Sequence, residues 1–164
     1  QWNQQKTRDL PSVDRVHDEL LARIPEQGPA TLVHGDYRLD NCMVDASGQV
    51  IAVLDWEMVN VGPAGIDVGW LIFMHQFFQS LADIFEMPGF PEFCQTDDII
   101  EAYEGAGGQH IEDLNWYIIY ASLRFAAVAI RTSLRGVAYG EREMPDDPED
   151  LIMHKAMLYS QISS

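Results

Sequence analysis

Positive charge is what the sequence has least of. Its 164 residues carry 10 Lys and Arg against 26 Asp and Glu, a formal net charge of −16. Nucleic-acid phosphates are bound through basic stripes, so DNA and RNA are excluded as expected partners. Anionic membrane surfaces are disfavoured by the same repulsion. Cationic small molecules, or anions neutralised by a bound metal, are compatible with this charge. Cysteine is scarce too. Cys42 and Cys94 are too few for a small disulfide scaffold and are expected as buried or half-buried thiols. No H-x-x-x-H or C-x-x-C spacing occurs, which argues against zinc. The longest apolar run, residues 117–130, is interrupted by Ser122 and Arg124 and falls short of the ~20 residues that span a bilayer. The start, Gln1-Trp2-Asn3-Gln4-Gln5, has no secretory apolar core. A soluble, cytoplasmic protein with no membrane partner is expected.

What is present suits one domain, residues 1–164, since 47% of the chain is hydrophobic and a chain this long buries roughly 70% of its unfolded surface. Apolar residues at Leu10, Val13, Val16, Leu20, Leu21 and Ile24 predict a helix over about 9–24, with Pro11 in its first turn. A β-prone run, Thr31-Leu32-Val33, leads into a polar loop. Two further runs, 41–45 and 49–54, flank Ala46-Ser47-Gly48 and read as a hairpin. Helices are expected over about 67–85 with Asp67 as N-cap, over 96–106, over 112–134 as a buried central helix, and over 148–162. The fold class is α+β, mostly helical.

The polar loop carries the chemistry. In His34-Gly35-Asp36-Tyr37-Arg38-Leu39-Asp40-Asn41, an anionic oxygen at Asp36 and a neutral carbonyl at Asn41 stand five residues apart. Magnesium takes oxygen ligands of this kind, often beside substrate phosphates. A three-residue hairpin loop sets Asp45 opposite Gln49 and Asn41 opposite Val53. Asp55 would then fall on the face of Asn41, as a diagonal neighbour near enough to share an ion, whereas a one-residue slip would turn it away.

The loop resembles the H-x-D-x-x-x-x-N catalytic loop of kinases, with Asp55 in the place of the metal-binding Asp of D-F-G. Gly35, the run Leu54-Asp55-Trp56-Glu57 and Gly62-Pro63…Asp67 bring the sequence closer to the aminoglycoside phosphotransferase and choline kinase-like family. Tyr37-Arg38-Leu39-Asp40-Asn41 and Val53-Leu54-Asp55-Trp56-Glu57 resemble the branch found fused to some acyl-CoA dehydrogenases. The resemblance runs over nearly the whole chain, 116–131 and 141–147 included. It implies a protein kinase-like C-terminal lobe whose hairpin carries the metal site. It also implies transfer of the γ-phosphoryl group of ATP, with Mg²⁺, to a hydroxyl of a small molecule, cationic ones included. Residue by residue, it implies Asp36 as catalytic base or positioning group for the substrate hydroxyl, and Arg38 as a phosphoryl-stabilising catalytic group. Asn41 and Asp55 become nucleotide and metal ligands, and Glu57 reaches a second metal through water. His34 and Asp67 support the loop, Asp67 by bonding its backbone amides.

The departures matter as much. No G-x-G-x-x-G occurs, and Lys6 is the one lysine before His34. The N-terminal nucleotide-binding lobe of such kinases is therefore expected to be absent from this chain. That leaves a non-catalytic binding or scaffold module as the alternative, and a Mg²⁺-dependent hydrolase as a third reading. Other features have plainer accounts. Trp70, Phe73, Met74, Phe77 and Phe78 are expected as core. His75, His110 and His154 read as surface or helix-face residues. The acidic clusters at 97–104 and 146–150 read as solvated faces, and Arg124 and Arg131 as partners of core acids.

Overall fold

The computed structural model describes residues 10–26 and 28–161. Asp9, Lys6 and Ile162, which enter the expectations above, lie outside them. The chain divides into two compact units, one of Pro25–Ala121 and one of Gln1–Ile24 with Ser122–Ser164.

In the first unit, β1 (Thr31–Val33) pairs antiparallel with β4 (Asn60–Gly62), and β2 (Cys42–Val44) pairs antiparallel with β3 (Val50–Val53). Two helices complete it, α2 (Gly65–Ile84) and α3 (Thr96–Gly105), together with the first turns of α4 (Leu114–Ala138). The sheets are small and open. Leu32, Ile51 and Val61 are 63%, 61% and 68% exposed, and Val33 is the one strand residue that reaches the core. The core belongs to α2, where Val68, Trp70, Ile72, Phe73, Met74 and Phe77 are buried. Fully burying a side chain of this size is worth about 1.5–3 kcal/mol. Phe78, expected with them, is 47% exposed, because it falls off the apolar face of the helix. At Gly65 and Gly69 an added Cβ would lie 2.7 Å from Tyr117, so two glycines one turn apart let α2 approach α4 closely.

The second unit holds α1 (Pro11–Ala22), the rest of α4, a 3-10 turn at Pro148–Leu151 and the short α5 (Lys155–Ser160). Val13, Val16, Leu151 and Leu158 are wholly buried in it. The expected helix over 148–162 is in fact two pieces. His154 turns inward between them, and its Nε2 lies 2.9 Å from the Ser122 carbonyl oxygen. A buried His154, 4% exposed, replaces the surface residue that the sequence suggested. Burial holds it below the usual histidine range, partly offset by that hydrogen bond.

The acidic cluster here is also more than a solvated face. Glu149 accepts from the Ser12 amide at 2.9 Å and from the Tyr159 hydroxyl, so it caps α1 from a distant part of the chain. Burial would raise its pKa, but these two donors outweigh it and hold Glu149 below the carboxylate range. Asp147 accepts from the Glu149 amide at 3.0 Å and, with Asp150, from Lys155. The helix α4 is not buried all round. Val128 is 52% exposed, and Arg131 is exposed with no ion pair to the described residues.

Candidate active site

The loop between β1 and β2 is shaped by one glycine. Gly35 has φ +85°, and a Cβ there would meet the Met58 carbonyl oxygen at 2.5 Å, so only glycine fits both the backbone angle and the space. Its neighbours are tied down from α2. The Asp67 carboxylate accepts from the His34 amide at 2.7 Å and from the Gly35 amide at 2.8 Å. Asp67 thus sits in the first turn of a helix that starts two residues earlier than expected. Its carboxylate is spent on the loop rather than on capping its own helix, whose N-cap is Ala64 with no side-chain bond. Two charge-assisted bonds of this kind are each worth roughly 1.5–3 kcal/mol.

His34 is buried, 2% exposed, and joins the loop to the end of β3. The Asp36 amide donates to its Nδ1 at 3.2 Å, and its Nε2 lies 2.8 Å from the Leu54 carbonyl oxygen. The amide can only donate and the carbonyl can only accept, so the ring carries its hydrogen on Nε2. The Trp56 ring packs against it at 4.6 Å between centroids. Leu54 is held on its other side too, its amide donating to the Asn41 carbonyl at 2.8 Å. The residue before Asp55 is thereby clamped at both its peptide groups.

The hairpin has the expected turn and a different register. Asp45 donates its amide to Gln49 at 2.9 Å, and Gly48 takes the left-handed position at φ +83°. A bulge between Met43 and Val44 then sets Val44 against Val50 and Cys42 against Val53, so Asn41 stands opposite Leu54 rather than Val53. The extra residue, Ile51, shifts the pairing by one. The inference that Asn41 and Asp55 share a strand face does not stand. Asp55 leaves the strand in the left-handed region, φ 64° and ψ 55°, where strand alternation no longer applies.

Three side chains meet at the Asp36 carboxylate. Its Oδ2 accepts from Arg38 Nε at 3.2 Å and from Asn41 Nδ2 at 3.0 Å, and its Oδ1 accepts from Trp70 Nε1 at 2.8 Å. Arg38 also forms an ion pair with Asp40, Nη1 to Oδ2 2.6 Å. Asn41 is buried, and its Nδ2 also donates to the Asp36 carbonyl at 2.8 Å, which turns its Oδ1 away from Asp36. The Asp36 side chain keeps 23% of its surface exposed, so a carboxyl group of fixed direction is partly accessible from solvent. Such a group can accept a proton from a molecule placed against it. Asp55 is exposed and makes no hydrogen bond to the described residues, and Glu57 is exposed in the 3-10 turn Trp56–Met58. Neither is drawn into the Asp36 cluster.

Among the described residues, no group of three or more His, Cys, Asp and Glu could hold a metal ion. The available oxygens are Asn41 Oδ1 and the Asp55 carboxylate. Mg²⁺ characteristically takes one or two protein oxygens and completes its shell with water and phosphate, so this donor set fits it and not zinc. A cavity of about 920 Å³ is lined by His34, Tyr37, Trp56, Asp67, Tyr103 and Tyr117, among others. Asp36, Asn41 and Asp55 do not line it.

Trp70 is the residue that the sequence did not mark for this site. An aromatic on an apolar helix reads as core, and Trp70 is indeed 6% exposed. The available signal was its place three residues after Asp67, on the same helix face. No described helix is long and apolar enough to cross a membrane.

Comparison with known proteins agrees with the motif. The chain is 29% identical over 150 residues to acyl-CoA dehydrogenase family member 10 of Mus musculus, covering 84% of this chain and 14% of that protein. It is 29% identical over 136 residues to the probable acyl-CoA dehydrogenase IBR3 of Arabidopsis thaliana, covering 76% of this chain and 16% of that protein. The chain thus spans about one-seventh of the length of these relatives. Among solved structures it resembles a putative aminoglycoside phosphotransferase from Ralstonia eutropha, with a TM-score of 0.68 and 24% identity over 98% of this chain and 50% of that one. That likeness establishes a shared fold. The family model described as the phosphotransferase enzyme family matches residues 1–94, more than half of the sequence, and the chain belongs to that family.

Proposed function

We propose that the chain is the C-terminal lobe of an ATP- and Mg²⁺-dependent phosphotransferase acting on a hydroxyl of a small molecule. One observation carries this reading. A partly exposed Asp36 carboxylate is oriented by Arg38, Asn41 and Trp70, and its loop is braced by His34 and Asp67. In this account Asp36 takes the proton of the acceptor hydroxyl as that oxygen bonds the γ-phosphorus. The bond from phosphorus to the nucleotide breaks, and its electron pair stays on the departing ADP. Catalysis is positioning and charge stabilisation, with no covalent enzyme intermediate. Asn41 through Oδ1 and Asp55 through its carboxylate would hold Mg²⁺, which when bound neutralises charge on the nucleotide phosphates. Glu57 would act at most through water. Arg38, once released from Asp36, can offer two parallel N–H groups to phosphoryl oxygens. The net charge of −16 favours a cationic acceptor over an anionic one.

A non-catalytic binding or scaffold module is the second reading, and a specific observation favours it. The Arg38–Asp36 contact occupies the carboxylate oxygen that a substrate would need. Asp36→Ala separates the two. In a protein joining this lobe to a nucleotide-binding lobe, the substitution is expected to cut transfer of labelled γ-phosphate by about 10²–10⁴-fold with folding intact. The acceptors assayed would be sugars, aminoglycosides and choline-like amines. Unchanged transfer would sink the role of Asp36.

A further inference from the structure

Trp70 is placed where a core residue has no need to be. Its indole N–H donates to Asp36 Oδ1 at 2.8 Å, across 34 residues of sequence, while the ring stays buried at 6% exposure. Its ring lies 6.2 Å from Phe73, which is wholly buried, so it sits on a packed and rigid support. Asp67, three residues earlier on α2, holds the backbone amides of His34 and Gly35. One face of one helix therefore fixes both the backbone of the loop and the direction of its carboxylate.

We propose that Trp70 is a positioning residue for Asp36, reserving Oδ1 so that Oδ2 is the oxygen presented to the acceptor. The inference rests on the phosphotransferase reading and names a residue that this reading does not require. A carboxylate turns readily about its last bond, and its two oxygens are chemically alike until something distinguishes them. The indole N–H is a donor only and takes one lone pair of Oδ1, so it ties that oxygen to the helix as an acceptor. Oδ2 instead meets the buried Asn41 and Arg38, whose side chain is 28% exposed. Arg38 also pairs with Asp40 and can leave Oδ2 for it, whereas Trp70 is held by packing. The two oxygens thus have different work, one as anchor and one as acceptor.

The test is a heteronuclear magnetic resonance comparison of the 15N-labelled chain with Asp36→Ala, Trp70→Phe and Phe73→Leu. In Asp36→Ala, the Trp70 indole proton is expected to shift upfield and to exchange with water faster. In Trp70→Phe, the Arg38 Nε–H and Asn41 amide signals, whose protons lie on the other oxygen, are expected to move. In Phe73→Leu, a truncation of the same core, those two signals are expected to stay. An indole proton indifferent to Asp36→Ala would overturn the proposal. So would equal displacement of the Arg38 and Asn41 signals in both core variants. The Asp36→Ala comparison does not depend on Trp70→Phe folding. Unchanged transfer by Asp36→Ala in the two-lobed protein would count against the phosphotransferase reading and leave the indole result standing.

Discussion

Gly35 shows how a single position sets the site. Its φ of +85° and the 2.5 Å approach of a would-be Cβ to the Met58 carbonyl leave no room for a side chain. Gly35→Ala is expected to destabilise the chain by about 1–3 kcal/mol, from the left-handed backbone alone, with the steric contact adding to it. Urea unfolding would show this as a lower midpoint at unchanged slope. An unchanged midpoint would mean that the loop is not held as described. At this scale the sequence was most informative where residues act through local spacing. His34, Gly35, Asp36 and Asn41 lie in eight consecutive positions and meet in space as that spacing suggests. Trp70 was not legible, because its polar contact lies 34 residues away and its apolar body satisfies a core reading equally well. Asp67 bonds the backbone amides of His34 and Gly35, as the resemblance implied, but it does not cap its own helix.

At the scale of elements, the hairpin turn was legible from Gly48, and the bulge was not. A bulge depends on which strand residues are needed elsewhere, and here Leu54 must serve both Asn41 and His34. The break before α5 escaped for a related reason. A burial site for His154 exists only once the Ser122 carbonyl is in place. That histidine makes a pH prediction. Its folded pKa is lowered from 6.5, by burial first. As pH falls through that value the unfolded chain takes up a proton and the folded chain does not, so stability is lost on acidification. His75, also lowered by burial, acts with the same sign. His154→Gln keeps a donor for Ser122 and is expected to flatten the fall in unfolding free energy between about pH 7.5 and pH 5.5. A variant with the slope of the parent would contradict the assignment. Glu149, held low by Ser12 and Tyr159 against the effect of burial, loses its contribution only at more acid pH, below its ordinary 4.5.

At the scale of the whole molecule, charge and composition excluded classes of partner, and the compound motif pointed to the family whose model matches residues 1–94. The division into two compact units was only half visible: residues 25–29, with two prolines and a glycine, mark one boundary, but the other, Ala121/Ser122, lies inside α4. The cavity lined by Tyr103 and Tyr117 was equally hidden, because it forms from segments far apart in sequence. What joins these scales is the claim that Asn41 and Asp55 form a magnesium-nucleotide site beside Asp36. The measurement that tests it most directly is a calorimetric titration of the chain with Mg-ATP, set beside Asp55→Asn. The account predicts binding heat in the parent that disappears in the variant. Equal binding heats in both would contradict it.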